Sequence, residues 1–199
     1  MSHKARKHLQ NVDSKLYGYI EKIPLIPLRK SRNFFSELCD TIISQQLSGK
    51  AAATIFGRFK NLFPKKNITA QALFNIPDEK IRECGASWAK VRSLKDLAAK
   101  VDNKTVNLDK LEHMSNEDVI NTLVQIKGIG PWSAEMFLIF ALGREDVFSF
   151  GDLGLKKGII KVYGLKEEPS IKQIEMIVSR WKPYRTYASR VLWKSLELK

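Results

Sequence analysis

Apolar residues recur along the chain at intervals of three and four, and no sustained alternation of apolar and polar positions marks a strand. Phe34, Leu38 and Ile42, with Phe35, Cys39 and Ile43 beside them, form one helical stripe that stops at the polar turn Ser44-Gln45-Gln46-Leu47-Ser48-Gly49. A second helix is expected over Lys50 to Leu62, before Pro64 ends it. Pro77-Asp78-Glu79 opens a short helix closed by Cys84-Gly85, and Ser87 caps another that reaches about Val101. The run Ser115-Asn116-Glu117-Asp118 resembles a capping box with Asp in place of Glu, and Val119, Ile120, Leu123 and Val124 supply the stripe behind it.

The sharpest punctuation follows, at Lys127-Gly128-Ile129-Gly130-Pro131. Pro131 suits the first position of a helix, where its missing N–H costs nothing, and Trp132, Met136, Ile139 and Phe140 continue an apolar face until Gly143. After Val147-Phe148-Ser149-Phe150-Gly151, Asp152 can begin a helix ending at Tyr163-Gly164. Ser170 caps one with Ile171, Ile174, Val178 and Trp181 on one side, and Pro183 stands near the start of the last, to Leu198. The pattern predicts an all-α protein of nine or ten helices without internal repeats.

Composition narrows the possible partners. At 199 residues and 44% hydrophobic, the chain can build one sizeable core or two small helical lobes sharing a groove. No apolar run approaches the roughly 20 residues of a membrane span, and Met1 to Lys7 lacks a secretory stretch, so an intracellular protein without membrane partners is expected. The 34 basic against 21 acidic residues, a formal +13, favour an anionic partner, nucleic acid above all. Cys39 and Cys84 are too few for a disulfide framework and read as small buried apolar residues. His3, His8 and His113 lack ligand spacing, the first two in a tail expected to fray, and no zinc is expected.

Gly128-x-Gly130 admits two chemical readings. A dinucleotide-binding loop would follow a strand and carry a third glycine, but helical periodicity precedes it and Ser133 stands in the third place. As a hairpin between helices, the glycines permit positive φ and bare backbone N–H groups at the next helix's positive end, where a phosphate fits without sequence preference. An ordinary glycine turn would look the same in isolation.

Other segments make the pattern specific. Leu123 to Ala134 resembles the hairpin of the helix-hairpin-helix DNA glycosylase superfamily, and Val147 to Leu155 resembles its aspartate loop. Within it the chain is most similar to the alkyl-base (3-methyladenine) glycosylases, through Ile43 to Ser48 with Ala51-Ala52, Gly85-Ala86-Ser87 to Lys90, and Lys182-Pro183-Tyr184-Arg185 to Trp193. The likeness covers about residues 25–198, lacks the N-terminal β-domain of some relatives, and implies two helical lobes around a DNA-binding cleft, with residues 1–24 as an N-terminal arm and first helix.

That resemblance implies excision of a damaged base rotated out of the duplex, with Asp152 as the catalytic carboxylate. Trp132 stands where bifunctional relatives place a nucleophilic lysine, which implies base release without strand cleavage. Trp132, Met136 and Trp193 would line the base pocket, with Tyr184 and Tyr187 as further candidates. Gln46 falls at the position that plugs the vacated stack, flanked by Gln45, Leu47 and Ser48, while Lys127, Gly128, Gly130 and Ser133 would hold phosphate. The Val124, Ile126 and Ile129 carbonyls would hold a monovalent cation, Na+ or K+, with no other cofactor.

The implied partner is duplex DNA with alkylated bases or abasic sites, bound by a monomer, nuclear in a eukaryote. Two departures bear on this. Ser149 replaces a common proline, so the aspartate loop is expected to be less rigid, and Met136 replaces an aromatic pocket wall. The alternative is a binding protein of the same fold that shelters abasic or distorted sites and excises nothing.

Overall fold

The polar N-terminus folds instead of fraying. Ser2 caps helix α1 (His3–Val12) by accepting the Ala5 N–H at 3.2 Å, and Ala5 and Leu9, one turn apart, are fully buried. Asp13 caps α2 (Ser14–Ile20) by accepting the Leu16 N–H at 3.0 Å. This carboxylate is itself buried, and the Tyr163 hydroxyl and the Trp181 indole N–H (2.9 Å) satisfy its second oxygen. The frayed tail expected around His3 and His8 is therefore corrected. His8 donates through Nε2 to the Arg180 carbonyl at 3.1 Å.

The computed structural model describes residues 1–24 and 27–198. The chain divides into two units, Met1–Lys30 with Leu138–Lys199, and Ser31–Phe137. The boundary expected after residue 24 falls at residues 25 and 26, outside the described residues.

The Ser31–Phe137 unit contains α3 (Phe34–Ser44), α4 (Gly49–Lys60), α5 (Ala70–Asn75), α6 (Asp78–Glu83), α7 (Trp88–Asp102) and α8 (Asn116–Leu123). It also holds the first seven residues of α9 (Pro131–Phe140) and short 3-10 turns at Pro64–Lys66 and Leu108–His113. Asn33, Ser48, Thr69, Ser87 and Ser115 each accept a backbone N–H of the helix they precede. The stripe of α3 is buried in the core: Leu38, Cys39, Ile42 and Ile43 are fully buried, as are Phe59, Leu73, Leu94 and Leu97. Each such aliphatic side chain contributes about 1.5–3 kcal/mol by leaving water. Cys39 and Cys84 are free thiols in this interior, and burial pushes the Cys39 thiol far above its ordinary titration range.

In the other unit, α10 (Leu153–Tyr163), α11 (Ile171–Ser179) and α12 (Arg185–Ser195) join α1 and α2. Helices α10 and α12 approach closely at Gly158, where a Cβ would lie 2.7 Å from the Leu192 Cβ and 2.8 Å from its carbonyl oxygen. Trp181, fully buried, packs on Phe148 with ring centroids 6.0 Å apart. Among the described residues there are twelve α-helices and no strand, against the nine or ten helices expected. The additional ones are short or polar. No helix there is long and apolar enough to cross a membrane.

Candidate functional site

In the Ser31–Phe137 unit, α3 runs out at the polar turn. Gln46 adopts φ +56°, a left-handed conformation that few non-glycine residues take, and Gln46, Leu47 and Ser48 are exposed. Ser48 is also the cap of α4, accepting the Ala51 N–H at 3.4 Å. Lys90, half-buried on α7, donates from Nζ to the carbonyls of Ile43 (2.7 Å) and Gln45 (2.9 Å), closing the open end of α3. Burial holds its ammonium below the usual lysine range. Gln45 turns inward, its Nε2 donating to the Gly128 carbonyl at 2.7 Å and lying 3.5 Å from Ser133 Oγ. The Gln45 amide, expected among the DNA-binding residues of the turn, thus joins the turn to the hairpin.

The hairpin between α8 and α9 is closed by short-range bonds, Ile126 N–H to Leu123 and Ile129 N–H to Ile126, both 3.0 Å. Asp96 of α7 anchors its entrance, accepting the Lys127 N–H and the Lys100 ammonium, each at 2.7 Å. Burial raises the Asp96 carboxyl's pKa, but these hydrogen bonds and the two nearby lysine charges outweigh it and hold the group below its ordinary value. Gly128 has φ +81°, and a Cβ there would lie 2.4 Å from Ser93 Oγ, so both backbone and space demand glycine. Gly130 differs from expectation: its φ is ordinary and a Cβ would meet only open space. Nothing within the unit requires glycine there.

Pro131 opens α9 as expected, and the helical ladder begins with Ala134 N–H to the Gly130 carbonyl at 3.1 Å, so the first-turn amides precede it. Lys127 is exposed beside them, while Ser133 is buried with its hydroxyl toward Gln45, leaving only its backbone to meet a ligand. The Val124, Ile126 and Ile129 carbonyls are neutral donors without a carboxylate, a set suited to a monovalent cation more than to Ca²⁺ or Mg²⁺. The Ile126 oxygen already accepts the Ile129 N–H and retains one lone pair. Among the described residues no group of three or more His, Cys, Asp or Glu could hold a metal.

In the unit that contains the C-terminal helices, Asp152 is 7% exposed and caps α10. Its Oδ1 accepts the Leu155 N–H at 2.7 Å and the Trp193 indole N–H at 2.9 Å. Gly154 makes room for this contact, since a Cβ there would lie 3.0 Å from both Asp152 Oδ1 and Trp193 Cδ1. Trp193 in turn stacks on Phe140, ring centroids 5.8 Å apart at 28°, and Phe140 is 56% exposed. Trp193 therefore positions the carboxylate, in addition to the wall role expected of it.

The aspartate loop is laced to the first turns of α12. Arg185 forms a forked pair with Asp146 (Nε to Oδ1 2.6 Å, Nη2 to Oδ2 3.0 Å). Thr186 Oγ1 donates to the Arg144 carbonyl at 2.6 Å and accepts the Val147 N–H at 3.0 Å, and Ser189 reaches the Val147 carbonyl at 3.4 Å. Ser149 is fully buried and its carbonyl accepts the Asp152 N–H at 3.2 Å. These side chains supply the restraint expected to be missing without proline.

The tyrosines belong elsewhere. Tyr187 is a core residue, 4% exposed, with its hydroxyl donating to Glu145 at 2.8 Å, which corrects its assignment as a pocket wall. Tyr184 packs between His8 (5.4 Å, edge to face) and Tyr187 (6.2 Å). Of the remaining pocket candidates, Trp132 is 49% exposed, and Met136 on the same helix is half-buried. Phe140 was not anticipated at the site, although it follows Trp132 and Met136 at four-residue spacing.

The chain as a whole has counterparts among known proteins. The chain is 34% identical over 98% of its length to DNA-3-methyladenine glycosylase 1 of Schizosaccharomyces pombe, covering 88% of that protein. It superposes with a TM-score of 0.86 on the crystal structure of a DNA-3-methyladenine glycosidase from Bacillus halodurans, 35% identical, covering 99% of this chain and 90% of that one. A Schizosaccharomyces pombe 3-methyladenine DNA glycosylase in complex with abasic DNA matches with a TM-score of 0.84 at 33% identity, covering 98% of this chain and 97% of that one. Residues 39–183, which include the turn, the hairpin and the aspartate loop, match the family profile, and the chain belongs to the HhH-GPD superfamily of base excision DNA repair proteins.

Proposed function

We propose that this chain is a monofunctional alkylpurine DNA N-glycosylase that acts as a monomer on damaged duplex DNA, in the nucleus if its source is eukaryotic. The observation that carries this reading is Asp152: a buried carboxylate fixed at a helix N-terminus by the Leu155 N–H and the Trp193 indole N–H. The names of its relatives support the alkylated-base substrate.

As the N-glycosidic bond breaks, its electron pair leaves with the base and positive charge develops on the sugar. A carboxylate whose rotamer is already locked stabilises that charge without reorganising, and it can orient or deprotonate the water that attacks C1′. Trp132 in place of an amine leaves no Schiff base to form, so the abasic strand remains intact. Phosphate is held by the exposed Lys127 and the backbone around Gly128 and Gly130, with Gln46 filling the vacated stack. A monovalent cation on the Val124, Ile126 and Ile129 carbonyls would add positive charge beside that phosphate. The test is incubation with methylated duplex: free 3-methyladenine or 7-methylguanine should appear, with no strand break before alkali treatment. Binding to an abasic duplex with no base released would instead make the chain a sensor of damaged sites.

A further inference from the structure

Gln46 holds a backbone conformation that a glutamine disfavors, at the exposed tip of the turn. Among the described residues, one backbone bond closes the turn, Leu47 N–H to the Ser44 carbonyl at 3.2 Å. The remaining restraint comes from side chains. Lys90 binds the carbonyls of Ile43 and Gln45, the second of which immediately precedes Gln46, and the Gln45 amide is tied to the Gly128 carbonyl 83 residues away in sequence. An ammonium at a helix C-terminus also meets the negative end of the helix dipole.

We propose that Lys90 and Gln45 are positioning residues for lesion recognition, fixing the Gln46 turn in register with the phosphate-holding hairpin. This rests on the reading of Gln46 as the residue that enters the vacated stack. Lys90 sets the turn's backbone so that Gln46 projects outward, and Gln45 sets its distance from Gly128, so stack filling and phosphate contact are satisfied together. Neither side chain meets DNA.

A role confined to folding would predict that loss of Lys90 weakens all binding alike or only lowers the melting temperature. The positioning role predicts a change in discrimination. The experiment measures affinities of the full chain for an abasic duplex and for the intact duplex, with Gln46→Ala, Lys90→Met and the double variant. Lys90→Met should lower the abasic-to-intact ratio about tenfold, with less than about twofold change on intact DNA. The double variant should discriminate no worse than Gln46→Ala, because a misplaced glutamine and an absent one are equivalent. A 2-aminopurine opposite the lesion should lose its response to binding in both single variants.

Additive losses in the double variant, or equal weakening on both duplexes, would overturn the proposal. If Lys90→Met does not fold, Gln45→Met carries the same comparison with the same outcomes. A parent without abasic preference, or a Gln46→Ala variant that keeps it, overturns the Gln46 reading and this proposal with it. Loss in Gln46→Ala but full retention in Lys90→Met overturns the positioning role alone.

Discussion

Replacement of Gly128 by alanine isolates the tightest point of the hairpin. Two costs are legible there. An alanine at φ +81° occupies left-handed space at a cost of about 1–2 kcal/mol. Its Cβ would also lie 2.4 Å from Ser93 Oγ and 3.1 Å from Ser93 Cβ, an overlap that a packed interior resolves for about 1–3 kcal/mol. Gly128→Ala should therefore destabilise the protein by roughly 2–5 kcal/mol, measured by urea unfolding. Ser93→Ala in that background removes the closer atom but leaves the backbone strain. It should relieve most of the overlap, less the about 0.5–1.5 kcal/mol that Ser93→Ala costs by itself through loss of the Ser93 hydroxyl bond to the Ala89 carbonyl at 3.0 Å, so that Ser93→Ala is less destabilising in the Gly128→Ala background than in the parent by about 1 kcal/mol or more. At a temperature where Gly128→Ala remains folded, its affinity for duplex should fall equally for all sequences, as loss of a phosphate contact requires. A Gly128→Ala variant within about 0.5 kcal/mol of the parent, or a Ser93→Ala cost equal in both backgrounds, would refute the reasoning.

Two further outcomes follow from contacts at the hairpin entrance and around Asp152. The Asp96 carboxyl titrates below its ordinary value in the folded protein, so its stabilisation is fully present above the unfolded value of about 3.9 and is lost as pH falls through the lower folded one. Asp96→Asn should cost about 1–3 kcal/mol in urea at pH 7 and progressively less below about pH 4; a cost independent of pH would remove the ionised hydrogen bonds from the account. Gly154→Ala gains helix propensity but must displace Trp193 or Asp152 by a few tenths of an ångström, so melting should change by no more than about 1 kcal/mol while single-turnover excision slows about tenfold. An undiminished rate would mean that the indole contact does not position the carboxylate.

The sequence announces local structure well where one residue decides it. Ser87, Ser115, Asp152 and Ser170 cap the helices expected of them, and Pro131 begins α9, because capping and proline effects act within one turn. Helix α1 is expected from sequence to fray because Ala5 and Leu9 are its only buried residues, and the cluster that buries them is drawn from α2 and from the C-terminal helices, far away in sequence. Helix α5, six residues with Leu73 alone buried, carries too few apolar positions for periodicity to be distinctive, whereas α6, equally short, is legible because Pro77 opens it and Cys84-Gly85 closes it.

At the site, motif order located the turn, the hairpin and the aspartate loop but could not orient their side chains. Gln45 and Gln46 are chemically identical neighbours, and only the fold shows that the first binds Gly128 while the second is exposed. Tyr187 and Trp193 lie six residues apart on α12, one in the core and one beside Asp152; spacing leaves both open, and the Glu145 and Asp152 partners decide. Phe140 carried a signal, its four-residue spacing from Met136, that apolar continuity of the helix concealed.

The central claim is that Asp152 acts by its charge, and the most direct measurement is release of free base from methylated duplex by the Asp152→Asn variant. Asparagine retains an oxygen to accept the Leu155 N–H and the Trp193 indole N–H, so the cap and the fold should persist. The account predicts that the parent releases 3-methyladenine or 7-methylguanine without nicking the strand, and that Asp152→Asn slows release by at least about a hundredfold while binding an abasic duplex nearly as tightly. Release by Asp152→Asn at the parent's rate would contradict the mechanism, and a parent that binds the abasic duplex but releases no base would contradict the activity itself.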